Sequence, residues 1–275
     1  ASGTLSLQLP TNSVPYRHVF STSDGNENYS NLTFSLQVLQ IYRSQATILE
    51  PLPESEGSSV SMNVTEPQNI RLRLENPGNG EDEFLLSAQA KSLSPQDETP
   101  PVSFVFISQE QRTLGPLAYT ITTVEVTLGA EVAAQTPFEL EFRWTSLGDP
   151  SVHDTVTLLV EAEPDHRWEI NMTSGVEYQV SPKETVNIDF TAKNTGNAND
   201  TLRVIPSFTH SYSGLDSSTW NAAVFLGEEL PVNQSAAYTL NFTVPELAWA
   251  ESIAHMQFGI YSGNIWIQDI MLNFT

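Results

Sequence analysis

Apolar and polar residues alternate with a period of two along most of this 275-residue chain. One run holds Leu32, Phe34, Leu36 and Val38, and similar runs follow it to the end of the sequence. Period-two alternation gives a strand one buried and one solvated face, as in antiparallel sheets. Only Pro245–Met256 suggests a helical turn. The pattern therefore predicts an all-β protein.

The chain also repeats itself at an offset close to 118 residues. Ala118–Thr120 matches Ala237–Thr239, and an Asn-x-Gly-Asn motif with a following Asp occurs twice. This offset suits one immunoglobulin-like domain of about 100 residues. We predict tandem immunoglobulin-like antiparallel β-sandwich domains of about seven strands each, at 41–163 and 164–275. The loops Asn76–Glu83 and Asn194–Thr201 are expected to be equivalent hairpin turns. The motif residues are Asn76, Gly78, Asn79 and Asp82, matched by Asn194, Gly196, Asn197 and Asp200.

The first forty residues resemble the end of a repeat. Residues 4–9 are similar to 123–128, and residues 31–41 are similar to 154–164. We therefore predict that residues 1–40 are the closing strands of a partial preceding repeat. Their apolar face needs a cover, so we expect a neighbouring subunit to exchange a strand with them, or residues 41–60 to fold back.

The repeated motif carries a family resemblance. The stretches Leu74–Gly80 and Lys193–Asp200, with the later Trp220, resemble the tandem CARDB-like (cell-adhesion-related) immunoglobulin-like repeats of archaeal and bacterial surface proteins. The first repeat departs from that pattern, since it has no Trp at the position of Trp220 and a long polar stretch at 91–101. The resemblance implies an exported archaeal protein and a fold that serves as spacer, adhesin or accessory module.

Charge narrows the range of partners. The formal net charge is -22, from 33 acidic and 11 basic residues, and there is no cysteine. Nucleic acid and anionic membrane surfaces are disfavoured partners because both need clustered Lys and Arg. No apolar run approaches the roughly 18 residues of a membrane span, so direct membrane insertion is not expected. Disulfides and thiolate chemistry are excluded.

No catalytic motif is present. The five histidines show no metal-ligand or HExxH spacing, and no GxSxG, Walker or dinucleotide motif occurs. The pairs His153–Asp154 and Asp165–His166 suit solvated loops at the repeat joints. We therefore expect no enzymatic activity.

The acidic residues in the two motif loops are interpreted either as parts of a structural turn or as ligands of a calcium site. The structural turn is favoured. Carboxylate and amide oxygens suit calcium, the one cofactor considered, but no known calcium-loop spacing is present. The metal candidates are Glu81, Asp82, Glu83, Asn199 and Asp200.

The tryptophans bear on carbohydrate binding, since an exposed ring can stack on a sugar. Trp144, Trp220 and Trp266 are predicted to lie in the sandwich cores, which need large aromatic side chains. Trp249 is the candidate for exposure.

Asn-x-Ser/Thr acceptors are more frequent than the three or so that chance would give. Asn31, Asn63, Asn171 and Asn241 alternate with apolar neighbours and should point outward. This pattern predicts N-glycosylation and an extracellular or cell-surface location; Asn273, near the end of the sequence, is the least favoured site. The acceptors are Asn28, Asn31, Asn63, Asn171, Asn199, Asn233, Asn241 and Asn273.

Two function classes follow. The leading hypothesis is an extracellular structural protein, a repeat unit of a surface array, sheath, filament or adhesin stalk. Such a protein would self-associate, or join neighbouring surface subunits, through strand edges. The alternative is an accessory carbohydrate- or calcium-binding module of a large secreted hydrolase, for which an exposed aromatic platform would be the sign.

Overall fold

The computed structural model describes residues 16–23, 29–36, 38–94, 98–210, 220–246, 248 and 253–275. These residues form nineteen strands with connecting loops, which confirms the all-β prediction. The chain divides into a first unit, Ala1–Gly129 with Pro137–Glu161, and a second unit, Ala130–Thr136 with Ala162–Thr275. Within the described part of the chain, no helix is long and apolar enough to cross a bilayer.

The first unit holds a two-stranded hairpin and a two-sheet sandwich. Strands β1 and β2 pair with each other. The sandwich has a four-stranded sheet, in the order β3-β5-β9-β7, and a five-stranded sheet, in the order β4-β11-β10-β6-β8. The strands are β1 (Tyr16–Ser23), β2 (Tyr29–Leu36), β3 (Gln45–Glu50), β4 (Val60–Met62), β5 (Pro67–Glu75), β6 (Asp82–Ser92), β7 (Val102–Phe106), β8 (Gln111–Leu114), β9 (Tyr119–Leu128), β10 (Phe138–Ser146) and β11 (His153–Ala162).

The second unit repeats this strand order, except for β7. Its sheets are β12-β14-β17 and β13-β19-β18-β15-β16, so that β12 corresponds to β3 and β19 to β11. Strand β7 has no counterpart among the described residues of this unit. The strands are β12 (Trp168–Met172), β13 (Glu177–Tyr178), β14 (Thr185–Asn194), β15 (Asp200–His210), β16 (Phe225–Leu230), β17 (Ser235–Thr243), β18 (Ala254–Ser262) and β19 (Ile265–Phe274).

The alternating apolar residues fill a core between the two sheets of each unit. In the first unit the rings of Phe84 and Trp144 stack with centroids 5.0 Å apart. In the second, Phe190 meets Phe258 edge to face at 5.1 Å. Full burial of a large apolar side chain contributes about 1.5–3 kcal/mol, so these rows hold the sheets together.

Three expectations need correction. The loops Asn76–Glu83 and Asn194–Thr201 are equivalent, as predicted, but they are arches between the two sheets and not hairpins, since β5 and β6, like β14 and β15, belong to different sheets. The helical turn expected at Pro245–Met256 is wrong at its end, where β18 begins at Ala254; residues 247 and 249–252 lie outside the described residues. The sandwich of the first unit has nine strands, and eight are described in the second, where about seven were expected.

The hairpin β1–β2 is paired antiparallel over eight residues, as β10–β11 is. Tyr16 pairs with Leu36 and Ser23 with Tyr29. Phe138 pairs with Val160 and Thr145 with His153 in the same way. The origin of residues 1–40 in a preceding repeat stays a prediction, because 1–15 and 24–28 lie outside the described residues.

Candidate functional site

The two arches hold the most elaborate polar network in each unit. The Asn76 side chain accepts a hydrogen bond from Gly78 N at 2.9 Å and donates to Gly80 O at 2.9 Å. It also donates to Leu114 O, at the end of β8, at 2.9 Å. Asn76 is 1% exposed, so these bonds satisfy a buried amide that would otherwise be costly. Asn194 makes the matching bonds to Gly196 N, Ala198 O and Leu230 O.

The second asparagine of each motif holds the chain that enters the unit. Asn79 Oδ1 accepts from Ile41 N at 2.6 Å, and its Nδ2 donates to Leu39 O at 3.1 Å. Asn197 Oδ1 accepts from Asp165 N at 2.7 Å, and its Nδ2 donates to Glu163 O at 3.0 Å. Both asparagines therefore bind the main chain of the segment that precedes their own sandwich.

The glycine between the asparagines makes this approach possible. A β-carbon on Gly78 would collide with Ile41 O, and one on Gly196 would collide with Asp165 O. Only glycine lets the two backbones come this close. We call Asn76, Gly78 and Asn79, with Asn194, Gly196 and Asn197 in the second unit, the entry clamps.

A buried aspartate follows each clamp. Asp82 Oδ2 accepts from Ser146 Oγ at 2.6 Å, and its Oδ1 accepts from Glu83 N at 2.8 Å. Asp200 Oδ1 accepts from Ser262 Oγ at 2.6 Å, and its Oδ2 accepts from Trp168 Nε1 at 3.0 Å. Each aspartate thus ties the arch to the turn that closes the last hairpin of its unit.

In the second unit, His166 joins this cluster; it lies in a loop, as predicted, but it is half-buried there and not fully solvated. Its Nδ1 lies 2.8 Å from Ser262 Oγ and 3.2 Å from Asp200 Oδ2. A hydrolytic triad uses opposite ring nitrogens for the serine and the aspartate. Here one nitrogen faces both, and the serine donates to the carboxylate. Ser262 is also 3% exposed, so the arrangement positions the arch and does not present a nucleophile.

The metal candidates are not brought together. Asp82 and Asp200 have hydrogen-bond donors of their own unit, whereas Glu81, Glu83 and Asn199 are exposed. Among the described residues, no three His, Asp or Glu side chains are placed to share a metal ion.

The acceptor asparagines divide by exposure. Asn63, Asn171 and Asn241 point outward between apolar neighbours, as the alternation predicts, and Asn199 and Asn233 are exposed in loops. Asn273 is half-buried, and its Nδ2 donates to Glu177 Oε1 at 2.6 Å. Asn28 lies outside the described residues, and Asn31 lies on β2.

The tryptophan predictions have mixed outcomes. Trp144 and Trp220 are buried in the cores, as expected. Trp266 was expected in the core and is 57% exposed, on β19 opposite Tyr261. Trp168 is buried beside Asp200, a role that its sequence position did not suggest. Trp249 lies outside the described residues.

No protein-family model matches the chain. No curated protein matches it either. Among solved structures, the chain is similar to one from a study of a chaperone-tip adhesin complex in CFA/I fimbriae biogenesis, at 8% identity over 84% of this chain and 99% of that chain, with a TM-score of 0.28. A TM-score this low gives no basis for transferring function.

Proposed function

We propose that this chain is an extracellular structural protein, a glycosylated repeat unit of a cell-surface array, sheath, filament or adhesin stalk, without enzymatic activity. The observation that supports it is the entry clamp, which both units possess. The second asparagine of each clamp binds the incoming main chain, at Leu39–Ile41 and at Glu163–Asp165. A fixed entry into each sandwich suits a chain of repeats whose task is mechanical.

Strand β7 supports assembly through an edge. It lies at one end of the four-stranded sheet, and its sequence VSFVF has neither charge nor proline. Natural edge strands are usually guarded by such residues against pairing with another chain. Val105 on β7 and Ile107 just after it are exposed apolar residues. We infer that β7 accepts a strand from a neighbouring copy.

The location is tested by immunogold electron microscopy with antibodies against the purified protein. The proposal expects gold on the outside of intact cells, in repeating rows on isolated surface material. Label that appears only after permeabilisation would contradict it.

Edge assembly is tested separately by light scattering. We expect Val105→Lys to lower the fraction of assembled protein, because a charge on β7 opposes pairing. The matched control is Ile121→Lys, which places the same charge on β9, an inner strand of the same sheet. If the two variants assemble to the same extent, β7 is not the edge through which the protein assembles.

A further inference from the structure

The outer face of the five-stranded sheet in the second unit carries a group of aromatic and apolar side chains. One row runs across four strands, from Leu226 on β16 through Arg203 and Tyr261 to Trp266. Leu226 and Trp266, at its two ends, are 67% and 57% exposed. With strands about 4.8 Å apart, the row spans roughly 15 Å. We call these four residues, with Gly259, Gln257 and Asp269 of the neighbouring rows, the Trp266 face.

The first unit shows that the fold does not require this surface. Register places Thr145 and His153 where the second unit has Tyr261 and Trp266. The same rows of the first unit continue with charges, among them Arg143 and the Glu141–Lys91 ion pair. The two sandwiches thus share a strand order, but where the second has the Tyr261–Trp266 pair the first has Thr145 and His153. Packing alone does not explain the difference.

Polar groups on the face are held in place. Asp269 Oδ1 accepts from Trp266 Nε1 at 3.2 Å, and its Oδ2 accepts from Gln257 Nε2 at 2.7 Å. Each carboxylate oxygen retains a lone pair for another donor. Arg203 Nη1 donates to Asn264 Oδ1 at 2.9 Å, and a guanidinium has five N–H donors in all. Fixed donors and acceptors beside an exposed ring are the usual elements of a site for a polar ligand with an apolar face.

Gly259 keeps the centre of the face flat. A β-carbon there would lie 3.1 Å from Tyr261 Cε2 and 3.4 Å from Asp269 Oδ1. The Tyr261 ring therefore leans over the glycine backbone, as aromatic side chains do beside a strand glycine. An extended ligand can then lie across the strands without meeting a projecting side chain at this position.

We propose that the Trp266 face binds a neutral pyranose polysaccharide. The C–H faces of pyranose rings suit Trp266 and Tyr261, and their hydroxyl groups suit Asp269, Gln257 and Arg203. The net charge of -22 disfavours acidic polysaccharides by long-range repulsion. This inference goes beyond the structural role and does not depend on it, since a protein at any location could carry the site.

The test is affinity electrophoresis of the full chain through gels that contain β-glucan, xyloglucan, galactomannan or dextran, with alginate and heparin as anionic comparisons. We expect at least one neutral polymer to retard the protein and the anionic polymers to leave it unretarded. Trp266→Ala should lower the apparent association constant at least tenfold, and Trp266→Phe, which keeps a ring, should lower it less. Tyr119→Ala removes an equally exposed aromatic side chain from the first unit and should change nothing.

Thermal unfolding of each variant checks that the second unit remains folded. The proposal is overturned if no neutral polymer retards the protein, if Trp266→Ala binds as the original does, or if the anionic polymers bind as well. It is also overturned if light scattering shows a dimer that Trp266→Ala abolishes, because the face would then be an interface between copies.

Discussion

The carbonyl oxygen of Asp165 occupies the space that a β-carbon on Gly196 would need. Ile41 and Gly78 repeat this relationship in the first unit. In both units the obstructing atom is a main-chain oxygen, which cannot rotate away as a side chain could. A side chain at either glycine can therefore be accommodated only by moving the segment that enters the unit.

We predict that Gly196→Ala destabilises the second unit by about 1–3 kcal/mol, the usual cost of overpacking a filled site. Chemical denaturation followed by tryptophan fluorescence measures the change. Gly115→Ala is the matched control, since a β-carbon there meets nothing within 4 Å. If the two variants are equally stable, the close approach has no energetic importance.

The second asparagine of each clamp should protect the entering segment from proteolysis. Arg43 and Arg167 stand at equivalent positions just after the clamped residues, in a chain with only 11 basic residues. We predict that Asn197→Ala accelerates tryptic cleavage after Arg167, because local opening exposes the bond. Asn79→Ala should accelerate cleavage after Arg43 instead. Mass spectrometry of the early fragments identifies the cleaved bonds. If each substitution accelerates cleavage after Arg43 and after Arg167 equally, the clamps do not protect their own segments.

Removal of the Asp200 carboxylate should loosen the buried cluster around it. Asp200→Ala leaves the donors of Trp168, Ser262 and Thr201 N without this acceptor, and each orphaned buried group costs about 1–3 kcal/mol. We expect a lower unfolding midpoint and a red-shifted Trp168 emission. The control is Asp189→Ala, which removes an exposed carboxylate from β14 of the same unit. Equal midpoints for the two variants would refute the structural role of Asp200.

Glycan occupancy should follow exposure. We predict that native protein exceeds its bare mass of 30.4 kDa and that peptide mapping finds sugar at Asn63, Asn171 and Asn241. Asn273 should be bare, because its side chain is half-buried on β19, whereas the other three are exposed. An intact mass equal to that of the bare chain contradicts the glycosylation hypothesis and removes the main sequence argument for an extracellular location.

The ion pair of Glu141 with Lys91 should make a small pH-dependent contribution to stability. The hydrogen bond from Lys91 lowers the pKa of Glu141 below its ordinary value. Stability from this pair is therefore present above the unfolded-state pKa and is lost as pH falls through the lower folded-state pKa. We expect Glu141→Gln to cost at most about 1 kcal/mol at pH 7 and less at pH 2. A cost that stays constant between these pH values would show that the charge is not responsible.

Alternation was sufficient to predict the strands, but not which sheet each strand joins. The buried residues Leu72 and Leu74 on β5 and Phe84 and Leu86 on β6 have the spacing that a hairpin or an arch would give equally. Asn and Gly suit both kinds of turn, so the sequence could not distinguish them. The decisive contacts of the arch, from Asn79 to Leu39 and Ile41, involve backbone atoms far away in the chain and carry no sequence pattern.

The prediction that Trp266 lies in the core is wrong for a different reason. Counted by twos from the buried Leu272 and Phe274, position 266 should face the core. The pairing of β18 with β19 shifts between Ile260 and Tyr261, so that Trp266 pairs with Tyr261 and comes to the outer face. A bulge adds one residue to a strand and reverses the face of every residue beyond it. The sequence does contain a sign of the buried network, since Ser146 and Ser262 recur at almost the same offset as the clamps.

The second asparagine of each clamp binds the entering segment through its peptide groups, since Asn79 and Asn197 contact backbone N–H and C=O groups there. Gln40–Ile41 in one segment and Pro164–Asp165 in the other have accordingly diverged without loss of the contact. A gene segment that encodes one repeat therefore brings with it the means to hold its own entering segment, whatever side chains that segment carries. Duplication or shuffling of such segments can lengthen or shorten the protein without a matching change in the neighbour, so that selection can act on the number of repeats independently of their composition.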